Sequence, residues 1–343
     1  MNAALGDARP GGAAEAPPWS CGILVVDKPT GVTSHDVVER VRRRFRIEAA
    51  GHLGTLDPGA SGLLVVALGA ATRCAAALQG GEKTYEARVR FGLVTSTQDL
   101  HGEVLSRSDQ VPGQSAIRDA SAALVGETLQ IPPMASALKV GGERLHRLHR
   151  RGVTVERAPR PITVSEWTWM NFEPPEAVFR VRCSGGTYVR TLAHDLGERL
   201  GCGATLAALR RLRSEPFGLE RSVDLGRIVH EAPEAVWPDG GQTLEQATAH
   251  LPGIVLDPGE SEAAGFGRRP AVAAERAAGL PVGAGPRSVV LRDESGAVLG
   301  FGELMRGEAG TVIVCPHVLM PWAVRDGRRP VRTGDGPEEA RAL

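Results

Sequence analysis

Lysine and tyrosine are almost missing from this chain of 343 residues. Lys28, Lys83 and Lys139 are the only lysines among forty basic residues, and Tyr85 and Tyr188 are the only tyrosines. A chain that writes arginine by default keeps a lysine or a tyrosine where that side chain's own chemistry counts, which marks these five positions. Aromatic residues amount to 4%, too few for extended base stacking along a single strand. No apolar run approaches the roughly 20 residues of a membrane span. The stretch MNAALGDARPGGAAEAPPWS has no basic start followed by an apolar segment, so no secretory signal is expected. The five cysteines, at 21, 74, 183, 202 and 315, form no CxxC pair. That argues against a disulfide framework and a zinc cluster, and it fits a reducing cytoplasm. Net charge is absent as well: forty acidic residues cancel the forty basic ones, so any affinity for nucleic acid must come from local clustering.

Glycine (43) and proline (24) are plentiful, which predicts generous loops and tails. The length predicts two domains. Residues 1 to about 20 read as a disordered tail. An apolar strand covers Ile23 to Asp27, and Thr33 followed three residues later by Asp36 forms a capping-box pattern. Val37, Val41 and Phe45 then give a helical stripe, with Arg40, Arg43 and Arg44 on another face. The run Leu63–Leu68 reads as a buried strand, and KTYEARVRF (83–91) alternates as a half-exposed one. A further strand ends at Cys183, followed by a helix with Leu192, Leu196 and Leu200 inward and Gly201 as its C-cap. Leu206, Leu209 and Leu212 predict a second helix. Residues 231–250 read as a linker, and 251–320 as short strands of a small β-rich domain, with a loose tail over 323–343.

The loop GHLGTLDPGASG (51–62) is the most unusual stretch. It lacks the lysine of a phosphate cradle and the spacing of a nucleophile elbow. What remains is one carboxylate, Asp57, braced by Pro58, with His52 five residues earlier. Either Asp57 is a turn former, or the loop presents it as a nucleophile or general acid/base. Ser34-His35-Asp36 is a poor triad, because adjacent helical residues diverge. His146 and His149 could ligate a metal, but the arginines around them repel a cation. Three basic clusters, at 40–46, 139–160 and 210–213, are the second signal. The middle one holds seven Lys/Arg (139, 144, 147, 150, 151, 157, 160) against Glu143 and Glu156. Such runs are either solvated faces or arginine forks for phosphates, and the scarcity of aromatics favours a structured RNA read by shape.

Residues 51–73, GHLGTLDPGASGLLVVALGAATR, resemble the active-site signature of TruB-type tRNA pseudouridine synthases. The resemblance continues through VDKPTGVTSHDVV (26–38), KTYEARVRFG (83–92), TSTQDLHGEV (95–104), IPPMASALKVGGERLH (131–146) and CSGGTYVRTLAHDLGERLGCGATLAALRRLR (183–213). It implies an α/β fold of the α+β type: a central mixed sheet with flanking helices over 21–245, followed by a β-rich, PUA-like RNA-binding domain over 250–322. It also implies isomerisation of uridine 55 in the tRNA T-loop to pseudouridine, by a stand-alone bacterial enzyme without cofactor, metal or obligatory protein partner, expected to be a monomer. The resemblance makes Asp57 the catalytic aspartate, Arg190 its ion-pair partner and Tyr85 the aromatic residue packed on the target base. Tyr188, Leu209 and Lys28 would line the substrate pocket, and His52 would enter the RNA fold. The candidate phosphate contacts on the T-arm are Arg43, Arg44, Lys139, Arg147, Arg150, Arg151, Arg210 and Arg211. Leu53, Gly59 and His146 depart from the family pattern, which has a small hydroxyl residue, a leucine and a tyrosine there. A non-catalytic tRNA chaperone and a guide-RNA-dependent synthase are the competing readings.

Overall fold

The computed structural model describes residues 16–136, 138–283, 288–308 and 310–324. Most of the expected tails at 1–20 and 323–343 therefore lie outside the described residues. What is described narrows both: Trp19 packs edge-on against Phe45 with ring centroids 5.9 Å apart, and Ala323 is buried.

An eleven-stranded mixed sheet carries the chain up to Thr243. Its principal strands are β1 (Cys21–Lys28), β2 (Ala50–His52), β3 (Ser61–Gly69), β4 (Lys83–Phe91), β5 (Gly126–Gln130), β6 (Arg160–Glu173), β7 (Glu176–Cys183) and β8 (Ala204–Ser214). They lie in the order β1-β3-β8-β4-β7-β6-β5. The β3–β8 contact is parallel, while β1–β3, β8–β4, β4–β7, β7–β6 and β6–β5 are antiparallel. The centre of β3 is buried on both faces, which explains its unbroken apolar run, whereas β4 alternates as its sequence does.

Three helices pack on this sheet: α1 (Ser34–Arg44), α2 (Gln114–Ala122) and α3 (Val189–Arg199). The capping box of α1 forms as expected: Thr33 Oγ1 accepts from the Asp36 N–H at 3.0 Å, and the Asp36 carboxylate accepts from the Thr33 N–H at 2.9 Å. Helix α3 buries Val189, Leu192, Ala193 and Leu196 against β4, β7 and β8. Gly201, just past its end, has φ +71°, a conformation that closes a helix cheaply only in glycine.

Two expectations fail. The helix expected over 206–213 is the strand β8, in which β-bulges fall between Leu206 and Ala208 and between Arg211 and Arg213. Each bulge inserts one residue and resets the alternation of faces, so a doubly bulged strand shows three-residue spacing that imitates a helix. The linker expected over 231–250 is also packed structure. Gln242 and its neighbours pair with β1, and Val236, Trp237, Leu244 and Ala247 are buried. Its few apolar residues are the anchors, hidden by the polar composition around them.

A second sheet of five strands follows, built from Gly253–Val255, Val289–Arg292, Val298–Arg306, Thr311–Leu319 and Ala271–Ala273 in that order. Val290, Val298, Phe301 and Met320 share one buried cluster with Ile23, Leu63, Val65 and Phe217 of the first sheet. The two sheets are fused by a common core.

Candidate active site

Asp57 lies in the loop between β2 and β3, and the loop is held at nearly every residue. The Leu53 N–H donates to Val65 O at 2.8 Å. Ser34, the buried first residue of α1, donates its hydroxyl to Leu56 O and accepts from the Leu56 N–H, both at 2.9 Å. Pro58 O accepts from the Gly31 N–H at 2.8 Å and from Lys28 Nζ at 3.4 Å, and the Ala60 N–H returns to Asp57 O at 3.0 Å. Where β3 begins, Gly62 has φ +97°, and a Cβ there would meet Arg211 O at 2.3 Å. Only glycine lets β3 and β8 approach so closely.

Arg190 is the second residue of α3, and 6% of its side chain is exposed. Its Nη1 lies 2.9 Å from Asp57 Oδ2 and 3.5 Å from Asp99 Oδ2, while Nη2 donates to Ala135 O at 2.8 Å. The expected pair of Asp57 and Arg190 is therefore present, with Asp99 as a second carboxylate on the same guanidinium. Asp99 is fixed by its turn: its Oδ1 accepts from the Thr97 hydroxyl at 2.7 Å and from the His101 N–H at 3.0 Å. Burial pushes the Asp57 carboxyl above the ordinary aspartate range, against the pull of Arg190, with Asp99 adding to the rise and Lys28 opposing it. Ion pairing with Arg190 alone would pull the carboxyl down. Sharing that cation with Asp99 weakens its hold, and water on the exposed 46% of the Asp57 side chain limits the rise.

Tyr85 stands on β4 opposite Arg211 of β8 and Val181 of β7, and is 7% exposed. Burial raises its phenol, with Arg211 pulling against the rise, so the hydroxyl stays protonated at neutral pH. Leu209 faces Ala87, two residues along from Tyr85, and packs on the same core. The Tyr188 ring lies 5.7 Å from the Arg190 guanidinium carbon, within cation–π range. Gln130 bonds both the N–H and the C=O of Tyr188, at 2.8 and 3.2 Å. Tyr188 also lines a cavity of about 430 Å³ with Leu138, Ile162 and Gly186. His52 ends β2 half-buried, and burial, then Arg211, lowers its pKa, which keeps the imidazole neutral.

Lys28 and Arg211 need correction. Lys28 is fully buried, and its ammonium donates to Pro29 O and Val32 O at 2.9 and 2.8 Å as well as to Pro58 O. Burial lowers its pKa to about 8. It braces the loop from beneath and cannot touch a substrate. Arg211 is 1% exposed, with Nε on Leu63 O at 2.7 Å and Nη2 on Gly54 O at 3.0 Å. A side chain without surface makes no phosphate contact, so Arg211 is a strut under the loop. Lys28 was expected in the substrate pocket and Arg211 at a phosphate, because a sequence shows charge and not depth.

The remaining candidates lie on the outside. Arg43 pairs with Glu39 at 2.7 Å, Arg44 donates to Glu231 O at 2.6 Å, Arg151 pairs with Glu143 at 2.7 Å, and Arg210 grips Asp27 at 2.6 and 3.1 Å. Lys139, Arg147 and Arg150 are exposed around the short helix Leu145–Arg150; the side chain of His146 lies outside the described residues. Sequence reasoning missed Ser34 and Asp99. Both stood in motifs quoted for the resemblance, and their signal was a hydroxyl or carboxylate in a turn, a pattern shared with ordinary turn formers.

A carboxylate on a braced loop, ion-paired to a buried guanidinium and set beside a buried tyrosine on a mixed sheet, is the arrangement that the resemblance to pseudouridine synthases implies. Known proteins place the chain in that class. The model for the TruB family pseudouridylate synthase N-terminal domain matches residues 42–189, and that for the tRNA pseudouridylate synthase B C-terminal domain matches 190–236. The tRNA pseudouridine synthase B of Syntrophotalea carbinolica is 46% identical over 73% of this chain and 81% of its own length. That of Geobacter sulfurreducens is 42% identical over 83% and 94%. Among solved structures, a Cbf5-Nop10-Gar1 complex aligns with TM-score 0.69 and 29% identity, covering 90% of this chain and 88% of the other. This chain belongs to the TruB family of pseudouridylate synthases.

Proposed function

We propose that this protein isomerises uridine 55 in the T-loop of tRNA to pseudouridine, with Asp57 as the catalytic carboxylate. The observation that carries the reading is Asp57 Oδ2 held 2.9 Å from Arg190 on a loop braced by Lys28 and Ser34. Relatives at 42–50% identity bear the name tRNA pseudouridine synthase B, which supports tRNA as the substrate.

The reaction breaks the C1′–N1 bond, turns the uracil and joins C1′ to C5; the C5 proton leaves and N1 gains one. No energy input is needed, because a stable C-glycoside replaces an N-glycoside. Asp57 supplies the anionic oxygen at the ribose, by attack at C1′ or removal of the C2′ proton, and Arg190 favours that ionised form against burial. The target nucleotide must leave its loop at a cost of about a few kcal/mol of unstacking. Tyr85 offsets part of that, since base–aromatic stacking contributes roughly 1–3 kcal/mol. Tyr188 and Leu209 border the base, and the neutral imidazole of His52 enters the space it vacates. Arg43, Arg44, Lys139, Arg147, Arg150, Arg151 and Arg210 meet T-arm phosphates, and the five-stranded sheet, which follows the family-matched residues, acts as the PUA-like RNA-binding unit. The enzyme works as a monomer without a protein partner.

The neighbours titled as Cbf5 complexes favour a guided synthase as the second reading. The higher identity to relatives named tRNA pseudouridine synthase B ranks it lower. The test is a T-arm stem-loop transcript incubated with purified protein and digested to nucleosides. Pseudouridine should form without any guide RNA. Asp57→Asn should abolish it while tRNA binding stays within about threefold, because the amide keeps the shape and loses the charge. Equal loss of binding and turnover would reduce Asp57 to a turn residue, an unaffected variant would place the catalytic group elsewhere, and a wild type that binds tRNA yet forms no pseudouridine would leave the chaperone reading.

A further inference from the structure

The catalytic turn is braced from below by Lys28, Gly31 and Ser34, and its other side has a partner from a distant part of the chain. An ideal Cβ built on Gly59 would lie 2.5 Å from His101 Nε2 and 3.0 Å from His101 Cδ2. The imidazole edge therefore rests on the bare α-carbon of Gly59, two residues after Asp57, and no side chain fits between them. The backbone N–H of the same His101 donates to Asp99 Oδ1 at 3.0 Å, and Asp99 Oδ2 lies 3.5 Å from Arg190 Nη1. One residue thus touches the loop of the carboxylate and orders the acid that shares its counter-ion.

The turn that carries His101 is itself stiff. Thr95 Oγ1 donates to Asp99 O at 2.6 Å, Thr191 Oγ1 donates to Gln98 Oε1 at 2.8 Å, and the Leu206 N–H donates to Gln98 O at 3.0 Å. These bonds tie residues 95–102 to α3 and β8, the elements that hold Arg190 and Arg211. His101 is otherwise exposed, so the fixed turn sets where its ring meets Gly59.

We propose that His101 is a positioning residue for Asp57: its imidazole, seated on Gly59, clamps the 57–60 turn against Lys28 and Ser34 and sets the distance from Asp57 to Arg190. The inference rests on Asp57 being the catalytic carboxylate. Displacing such a group by about 1 Å costs on the order of 100-fold in rate. Substrate binding is made elsewhere and stays intact.

The test is a mutant cycle in the full-length protein with the T-arm transcript, reading kcat, KM and the thermal unfolding midpoint. Gly59→Leu expels the imidazole and should lower kcat by roughly 10–100-fold with KM within about threefold. His101→Ala, which removes the ring, should lower kcat by about tenfold. The double variant refills the vacated space with an aliphatic side chain of similar volume, and its kcat should return to within a few-fold of the wild type. Additive losses in the double variant, or His101→Ala with unchanged kcat, would overturn the clamp. A fall in KM-dependent binding with kcat preserved would overturn it too. Should the wild type prove silent on every uridine substrate, the functional reading fails instead. The clamp then stands or falls on whether Gly59→Leu lowers the unfolding midpoint in the wild type and spares it in the His101→Ala background.

Discussion

At the scale of single residues, the site is a contest over one charge. Asp57 has to be ionised to act, yet burial favours its protonated form, and Arg190 is divided between Asp57 and Asp99. The sign of the pH dependence follows. A carboxyl raised above its usual value near 3.8 remains protonated at a higher pH, so turnover should rise with pH on the acid limb around a midpoint above that value. Arg190→Met removes the largest downward pull and should move the midpoint further up, whatever it does to the height of the profile. Single-turnover rates from pH 4 to 8 check both; a midpoint moved down by Arg190→Met would contradict the electrostatics. Lys28 contributes at the same scale without meeting the substrate. Its ammonium satisfies Pro58 O beside Asp57 and adds a cation under the carboxylate.

At the scale of elements, the site depends on a helix start meeting a loop. Ser34 is the first residue of α1, positioned by the Thr33–Asp36 capping box, and its hydroxyl satisfies both polar groups of Leu56. Ser34→Ala strands a buried carbonyl and a buried N–H, at a cost of about 1–3 kcal/mol. It should lower the denaturant midpoint and reduce kcat more than tRNA affinity, because the freed loop carries Asp57. Chemical denaturation and steady-state kinetics on the same preparation measure the two effects. The bulged strand β8 belongs here as well. Between its bulges the strand alternates regularly, so consecutive arginines serve opposite faces, Arg210 outward to Asp27 and Arg211 inward to Leu63 O and Gly54 O.

At the scale of the whole molecule, the second sheet is a continuation of the first one's core. Phe301 is fully buried in the cluster that holds Ile23, Leu63 and Phe217. Phe301→Ala should cost about 3–5 kcal/mol, and calorimetry should show one transition moved down as a unit. Two separate transitions, with only the smaller displaced, would mean that the sheets unfold independently. Removing residues 251–343 would strip the cover from this shared cluster, so the C-terminal unit is better probed by surface charge reversal than by deletion. Among the described residues no helix is long and apolar enough to cross a membrane.

Much of this was legible in one dimension, and the reason is local. The α1 cap, the unbroken β3 run, the alternation of β4 and the Asp57 loop are set by neighbours within a few residues, so their patterns survive without the fold. The pairing of Asp57 with Arg190 was legible only through the family resemblance, since 133 positions separate them. Burial of Lys28 and Arg211, the second carboxylate at Asp99, the strand hidden in Leu206–Leu212 and the core shared by two sheets were decided by tertiary structure alone. Depth, bulges and close approach are properties of what packs on a residue, and a sequence records the residue without the packing.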